Sequence, residues 1–146
     1  MKKQAYITGL LFIFLTLALT SCKKDEPASL GDLLIGKWKM QIVRQVYLLD
    51  NVIEFEYIYH YKTNDLAYEF TDGGSIIQYR YGDIFGSTTF TLNNNSIIIE
   101  NGDVDIEWTN VTTDGNTITW METGTEVINE VTYDVEYYST ATKSSK

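Results

Sequence analysis

The stretch Ile53-Glu54-Phe55-Glu56-Tyr57-Ile58-Tyr59-His60-Tyr61 decides the fold. Ile53, Phe55, Tyr57, Tyr59 and Tyr61 alternate with Glu54, Glu56 and His60. A period of two sends successive side chains to opposite faces of a β-strand, one face oily and one wet. The same beat recurs on both sides of this stretch. Trp38, Met40, Ile42, Val46 and Leu48 alternate with Lys37, Lys39, Gln41 and Gln45. Val104, Ile106 and Trp108 alternate with Asp103, Asp105 and Glu107. Val127, Val131, Tyr133, Val135 and Tyr137 alternate with Glu126, Glu130, Asp134 and Glu136, a last strand expected to end at Tyr138. Shorter strands are expected over residues 66–71, 75–81, 84–92, 96–100 and 117–122.

Between these runs lie Asp50-Asn51, Asn64-Asp65, Asp72-Gly73-Gly74, Gly82-Asp83, Asn93-Asn94-Asn95, Asn101-Gly102 and Asp114-Gly115-Asn116. Asn, Asp and Gly accept the positive φ of tight hairpins. Connections this short join only antiparallel neighbours, since a parallel crossover needs a dozen residues or more. No helical period competes after the first 32 residues. The expected fold is therefore all-β: an antiparallel up-and-down β-barrel of eight or nine strands over residues 33–138, closed so that no long edge stays exposed. Residues 139–146 read as a polar, frayed tail.

Upstream, Met1-Lys2-Lys3 is basic, Ala5 to Thr20 is apolar, and small residues precede Cys22, the chain's single cysteine. These are the parts of an export signal. Leu19-Thr20-Ser21-Cys22 resembles the bacterial lipobox, which implies removal of residues 1–21 as a lipoprotein signal peptide and acylation of Cys22. A retained transmembrane helix is the alternative, but the run falls short of the roughly 20 apolar residues a span needs, and Lys23, Lys24 and Pro27 follow at once. With two or more acyl chains the anchor is stable, at about 0.8 kcal/mol per buried methylene. Residues 22–32 read as the lipidated cysteine and a polar tether. Cys22-Lys23-Lys24-Asp25-Glu26 resembles the surface-export signal of Bacteroidetes lipoproteins, implying a lipid-anchored protein facing outward on the outer membrane. A plain polar spacer is the other reading.

Removal of residues 1–21 leaves 146 − 21 = 125 residues, one domain's worth. Of 11 basic residues, Lys2 and Lys3 leave with the signal, so 9 face 20 acidic ones. That balance argues against nucleic acid or anionic lipid as partners, both of which call for basic clusters.

Three segments resemble the lipocalin-like domains of small Bacteroidetes lipoproteins. Leu34-Ile35-Gly36-Lys37-Trp38-Lys39 is similar to the family's opening Gly-x-Trp. Tyr68-Glu69-Phe70-Thr71-Asp72-Gly73-Gly74 and Phe90-Thr91-Leu92-Asn93-Asn94-Asn95-Ser96-Ile97 are similar to its two aromatic-to-turn hairpins. The resemblance implies a lipocalin-like barrel fold more than a function, and Trp38 is expected to pack at one end of the barrel and close it as a structural residue. One departure stands out: lipocalins commonly cover that Trp with an Arg from the last strand, and the expected last strand has no Arg or Lys.

Candidate ligand-binding residues are Arg44, Tyr57, Tyr59, Tyr61 and Tyr79. Tyrosines clustered on one strand face suit a partly wet cavity or a sugar-stacking platform, though strand propensity alone also places them there. Arg44 shares the parity of Trp38, Met40 and Ile42, so an unbroken strand aims it inward, where a guanidinium needs an acid or an anionic ligand. A bulge near Val43 would turn it outward. The parity of Arg80 reads either way. Asp103, Asp105 and Glu107 could recruit Ca²⁺, but they lack calcium-loop spacing, and no metal site or cofactor is expected. One histidine, His60, and no nucleophile or phosphate-loop motif leave no candidate catalytic residue. Three functions follow from different classes. The first is a binder of a small apolar or amphiphilic ligand, or a glycan, in the barrel mouth. The second is a surface accessory subunit using the barrel as a rigid scaffold. The third is a hydrolase with a carboxylate pair in the cavity.

Overall fold

The computed structural model describes residues 28–145. The expected signal peptide, Cys22 and most of the tether lie outside the described residues. A short helix, α1 (Leu30–Leu34), opens the described chain across the expected junction of tether and barrel, where no helix is expected. Ser29 explains it: its Oγ accepts from the Asp32 N–H, and the Asp32 carboxylate accepts from the Ser29 N–H, each at 3.2 Å. This reciprocal capping box satisfies two orphan helix donors.

Nine strands follow: β1 (Gly36–Leu49), β2 (Val52–His60), β3 (Leu66–Phe70), β4 (Ser75–Arg80), β5 (Asp83–Asn93), β6 (Ser96–Ile99), β7 (Ile106–Thr113), β8 (Thr117–Ile128) and β9 (Val131–Lys143). Every pairing is antiparallel and follows chain order except at β1. One edge of β1 pairs with β9 along nearly its whole length, from Trp38↔Lys143 to Leu48↔Asp134. The other edge is shared. Its first half pairs with β3 and its second half with β2. Eight strands, β1 and β3 to β9, therefore form a closed barrel, and β2 is an extra strand outside it.

The registers also show where the barrel stops. β7 pairs with β8 only up to Thr109↔Met121, and β4 pairs with β3 only up to Leu66↔Arg80. Beyond these points β2, β1, β9 and β8 continue as a four-stranded extension on one side of the mouth. Among the described residues no helix is long and apolar enough to cross a membrane.

The core fills the end nearest α1. Trp38, Met40, Phe70, Ile76, Ile97, Ile118 and Ala141 are buried there together with Leu34 of the helix. Each large side chain so buried stabilises by roughly 1.5–3 kcal/mol. Trp38 is 1 % exposed and donates its Nε1 hydrogen to Leu34 O at 2.6 Å, which ties the helix to the barrel floor.

Three strand boundaries differ from expectation. β8 runs on to Ile128, and Asn129 and Glu130, at φ 51° and 69°, form a hairpin in place of a continuous strand from Val127. β7 begins at Ile106, leaving Val104 73 % exposed in the preceding turn with Asp103 and Asp105. The expected tail is largely strand: Ser139 to Lys143 belong to β9, with Ser139 and Ala141 buried. The Lys143 N–H donates to Asn116 O and the Ser144 N–H to Lys37 O, both at 2.7 Å. Lys143 also supplies the cation that the shorter strand lacked. Its Nζ lies 5.1 Å from the Trp38 ring centroid and donates to Leu33 O at 3.0 Å.

Candidate functional site

Inward and outward positions on β1 are set by one residue. The β1–β9 register slips between Met40 and Ile42, which makes a bulge at Gln41. Its side-chain amide donates to Thr142 Oγ1 at 3.1 Å. A bulge inserts one residue and switches the parity of everything after it. Trp38 and Met40 point inward before the bulge, and Val43, Gln45 and Tyr47 point inward after it. Arg44 is thereby turned out, which corrects the inward orientation expected from unbroken alternation. It is 44 % exposed and forms a two-nitrogen contact with Glu56, at 2.8 Å from Nε and 2.5 Å from Nη2. Its guanidinium also faces the Tyr138 ring at 5.7 Å.

The tyrosines are dispersed. Tyr79 lies on the outer surface, where Lys37 Nζ sits 3.3 Å from its ring centroid and its hydroxyl donates to Glu69 at 2.6 Å. Its expected place beside the mouth is corrected by the pairing of β3 with β4, which puts it opposite Ala67, out of line with Tyr68. Tyr57 and Tyr59 lie on β2, beyond the barrel, and are 59 % and 58 % exposed. Tyr61 follows β2 and is the one of the three that lines the interior. It packs edge-on to Tyr59 at 4.9 Å.

On the inner face of the extension Tyr47 stacks on Phe55 at 4.6 Å, and Tyr133 packs edge-on to Phe55 at 5.2 Å. Glu126 accepts from both the Tyr47 hydroxyl at 2.9 Å and the Tyr137 hydroxyl at 2.5 Å. Burial, then the bond to Glu126, pushes both phenols up from their ordinary value.

Two cavities that share lining residues lie inside the barrel at the end away from α1. The larger of the two, about 410 Å³, lies between strands β3 to β8, with Tyr68, Arg80, Phe85, Trp108 and Glu122 on its walls. The smaller, about 230 Å³, lies against β1 and β9, with Gln45, Tyr61, Trp120 and Tyr137. Tyr68 and Glu122 line both, so the two adjoin at these side chains. The floor is aromatic. Trp108 and Trp120 stack at 4.2 Å, and Tyr68 meets Trp108 edge-on at 5.1 Å.

Glu122 is the polar centre of this interior, and it is absent from the candidates drawn from sequence. Its Oε1 accepts from Trp120 Nε1 at 3.0 Å. Desolvation raises its pKa from the ordinary 4.5, partly offset by the indole hydrogen bond. Burial likewise pushes up the hydroxyls of Tyr68 and Tyr61, with Glu122 adding to both shifts and Arg80 opposing them. Arg80 stands at the rim, its guanidinium 3.9 Å from the Phe85 ring centroid. The signal for Glu122 was present: it sits at i+2 and i+4 from the inward Trp120 and Ile118, where a third apolar side chain belongs.

This arrangement can hold a molecule with an apolar body and a few polar groups. Among the described residues the walls of these two cavities carry a single carboxylate, Glu122, and no second acid converges on it there. Among the described residues no group of three or more His, Cys, Asp or Glu side chains is placed to hold a metal. Comparison with protein-family models, with curated proteins and with solved structures finds no match to this chain.

Proposed function

We propose that this chain is a lipocalin-like, lipid-anchored binding protein of the outer membrane that takes a small amphiphilic ligand into the open end of its barrel. The observation that carries the reading is the pair of adjoining cavities, about 410 and 230 Å³, with aromatic walls and a few converging polar groups. Ligand sites are concave, largely apolar and of this size. Two further features support it. Lys143 stands 5.1 Å from the Trp38 ring centroid, where the lipocalin pattern commonly has an Arg. The described chain begins at the end closed by α1, opposite the mouth.

The test uses the full chain in a host with an outer membrane, fed labelled palmitate. Label and protein should fractionate together in that membrane, and a small amphiphile should be released from the purified protein in near-stoichiometric amount. Gly86 lines the larger cavity, and a Cβ built there meets nothing within 4 Å. Gly86→Trp therefore starts a bulky side chain from open space on the cavity wall and should lower the yield of released ligand at least about tenfold, the loss of roughly 1.4 kcal/mol of binding. Equal yields from both proteins would remove the cavity from the account, and unlabelled protein would remove the anchor.

A scaffold role is favoured by a different feature, the β2 strand. β2 pairs with β1 on one edge only, and Val52, Ile53, Ile58 and Tyr59 on it are all more than half exposed. An open edge with apolar side chains is where another chain can add a strand.

A further inference from the structure

We propose that the cavity selects ligands carrying a cationic nitrogen, an amine or ammonium group received by Glu122. The inference rests on the binding reading above and names its ligand class. Glu122 spans both cavities, and only one of its oxygens is engaged: Oε1 holds the Trp120 indole hydrogen. Among the described residues Oε2 has no hydrogen-bond partner, and no cation lies within 4 Å, since the single ion pair there is Arg44 with Glu56. Glu122 is half-buried, and among the described residues no fully buried side-chain oxygen lacks a partner, so Oε2 opens onto the cavity space, where a partly desolvated carboxylate favours an opposite charge. The protein therefore provides one half of an ion pair and leaves space for the other.

The walls fit the same chemistry. Tyr61, Tyr68, Trp108, Trp120 and Tyr137 surround Glu122. Aromatic faces attract cations by about 0.5–2 kcal/mol each, most when water is excluded. Arg80, which would otherwise be the natural partner of Glu122, is drawn instead over Phe85 at the rim. A net charge of −9 adds a long-range field that gathers cations and repels anions. An anionic amphiphile would meet that field and then a carboxylate. A neutral one would gain a single hydrogen bond and leave the charge unpaired.

The experiment compares three small probes of similar shape: phenethylamine, phenethyl alcohol and hydrocinnamate. Each is titrated calorimetrically into the full chain held in lipid nanodiscs, with empty discs as the blank. Phenethylamine should bind at least about tenfold more tightly than the alcohol, as a charge-assisted bond allows over a neutral one, and hydrocinnamate should bind weakest. Glu122→Gln keeps the shape and an acceptor for Trp120, and in that variant the amine should bind no more tightly than the alcohol. Glu122→Asp should keep part of the preference. Equal affinities for amine and alcohol in the unaltered protein, or tighter hydrocinnamate, would overturn the amine selection and leave the cavity reading standing. Failure of all three probes to bind would overturn both.

Discussion

The two ends of the barrel are built on opposite principles. At the end closed by α1, Leu34, Trp38, Phe70, Ile97 and Ile118 are all 1 % exposed or less, and turns 72–74, 93–95 and 114–116 gather around them. At the mouth the barrel loses strands, β2 stands with one edge free, and a carboxylate sits among aromatic rings. Dense packing at one end supplies the stability that the other forgoes by keeping space and charge inside. The contrast shows that in this fold stability and binding are segregated along the barrel axis, with Tyr68 and the Trp108–Trp120 stack marking the boundary.

The contrast breaks most visibly at Trp38. Trp38→Ala leaves a cavity under α1 and removes both the Leu34 hydrogen bond and the ring beneath Lys143. Removing a buried Trp costs about 3–5 kcal/mol. Tyr59→Ala at the other end removes an aromatic ring of similar class that is 58 % exposed, and surface changes stay within about 0.5 kcal/mol. Urea denaturation followed by circular dichroism should show the midpoint collapse for the first and hold for the second. Comparable losses would mean that the extension carries as much of the fold as the floor does.

The same segregation explains what could be read in advance. Alternation and turn chemistry revealed an antiparallel barrel of the right strand number, because both follow from local rules that each hairpin obeys. They could not tell which strands lie in the wall. Ile53 to Tyr61 carries the clearest alternation in the chain, yet it lies mostly on β2, outside the barrel, where the oily face has no opposing sheet to cover it. Parity counting likewise fails across Gln41, since closure against β9, not β1's own residues, decides where the bulge falls. That single slip moved Arg44 out of the site. The polar composition of residues 139–146 concealed Ser139 to Lys143, whose place in β9 comes from hydrogen bonds to β1 and β8. Glu122 went unread, although its parity with Ile118 and Trp120 marks it as an inward acid; its weight depends on Tyr61, Tyr68 and Tyr137, which converge on it from elsewhere in the chain.

Glu122 sharpens the comparison in the opposite direction, because its removal should stabilise. Its folded-state pKa is raised above the ordinary 4.5 by desolvation, so the folded protein binds its proton more tightly than the unfolded chain does. Stability from this group is full below that ordinary value and is lost as pH rises through the folded value. At neutral pH the ionised carboxylate is therefore a burden on the fold. Glu122→Gln should raise stability there by about 0.5–2 kcal/mol, the range of a typical stabilising change. The gain should vanish in acid, where the native carboxyl is already neutral. Thermal melts of both proteins at neutral and acidic pH decide the matter. A variant less stable at neutral pH would mean that the carboxylate is a structural support and not a group held for a ligand.

The smallest effect is expected at Arg44, on the outer face of the same strand that lines the cavity. Its contact with Glu56 is nearly half exposed on both sides, and an exposed ion pair contributes about 0.2–1 kcal/mol. Arg44→Ala should lower stability by no more than that, and the difference should shrink as salt screens the pair over a Debye length of roughly 8 Å at physiological strength. Because the guanidinium points away from the interior, the same variant should release as much bound amphiphile as the unaltered protein. A tenfold drop in ligand yield from Arg44→Ala would place the bulge at Gln41 elsewhere in solution. It would return Arg44 to the inside of the barrel, and the division between a packed floor and an aromatic mouth would have to be redrawn around it.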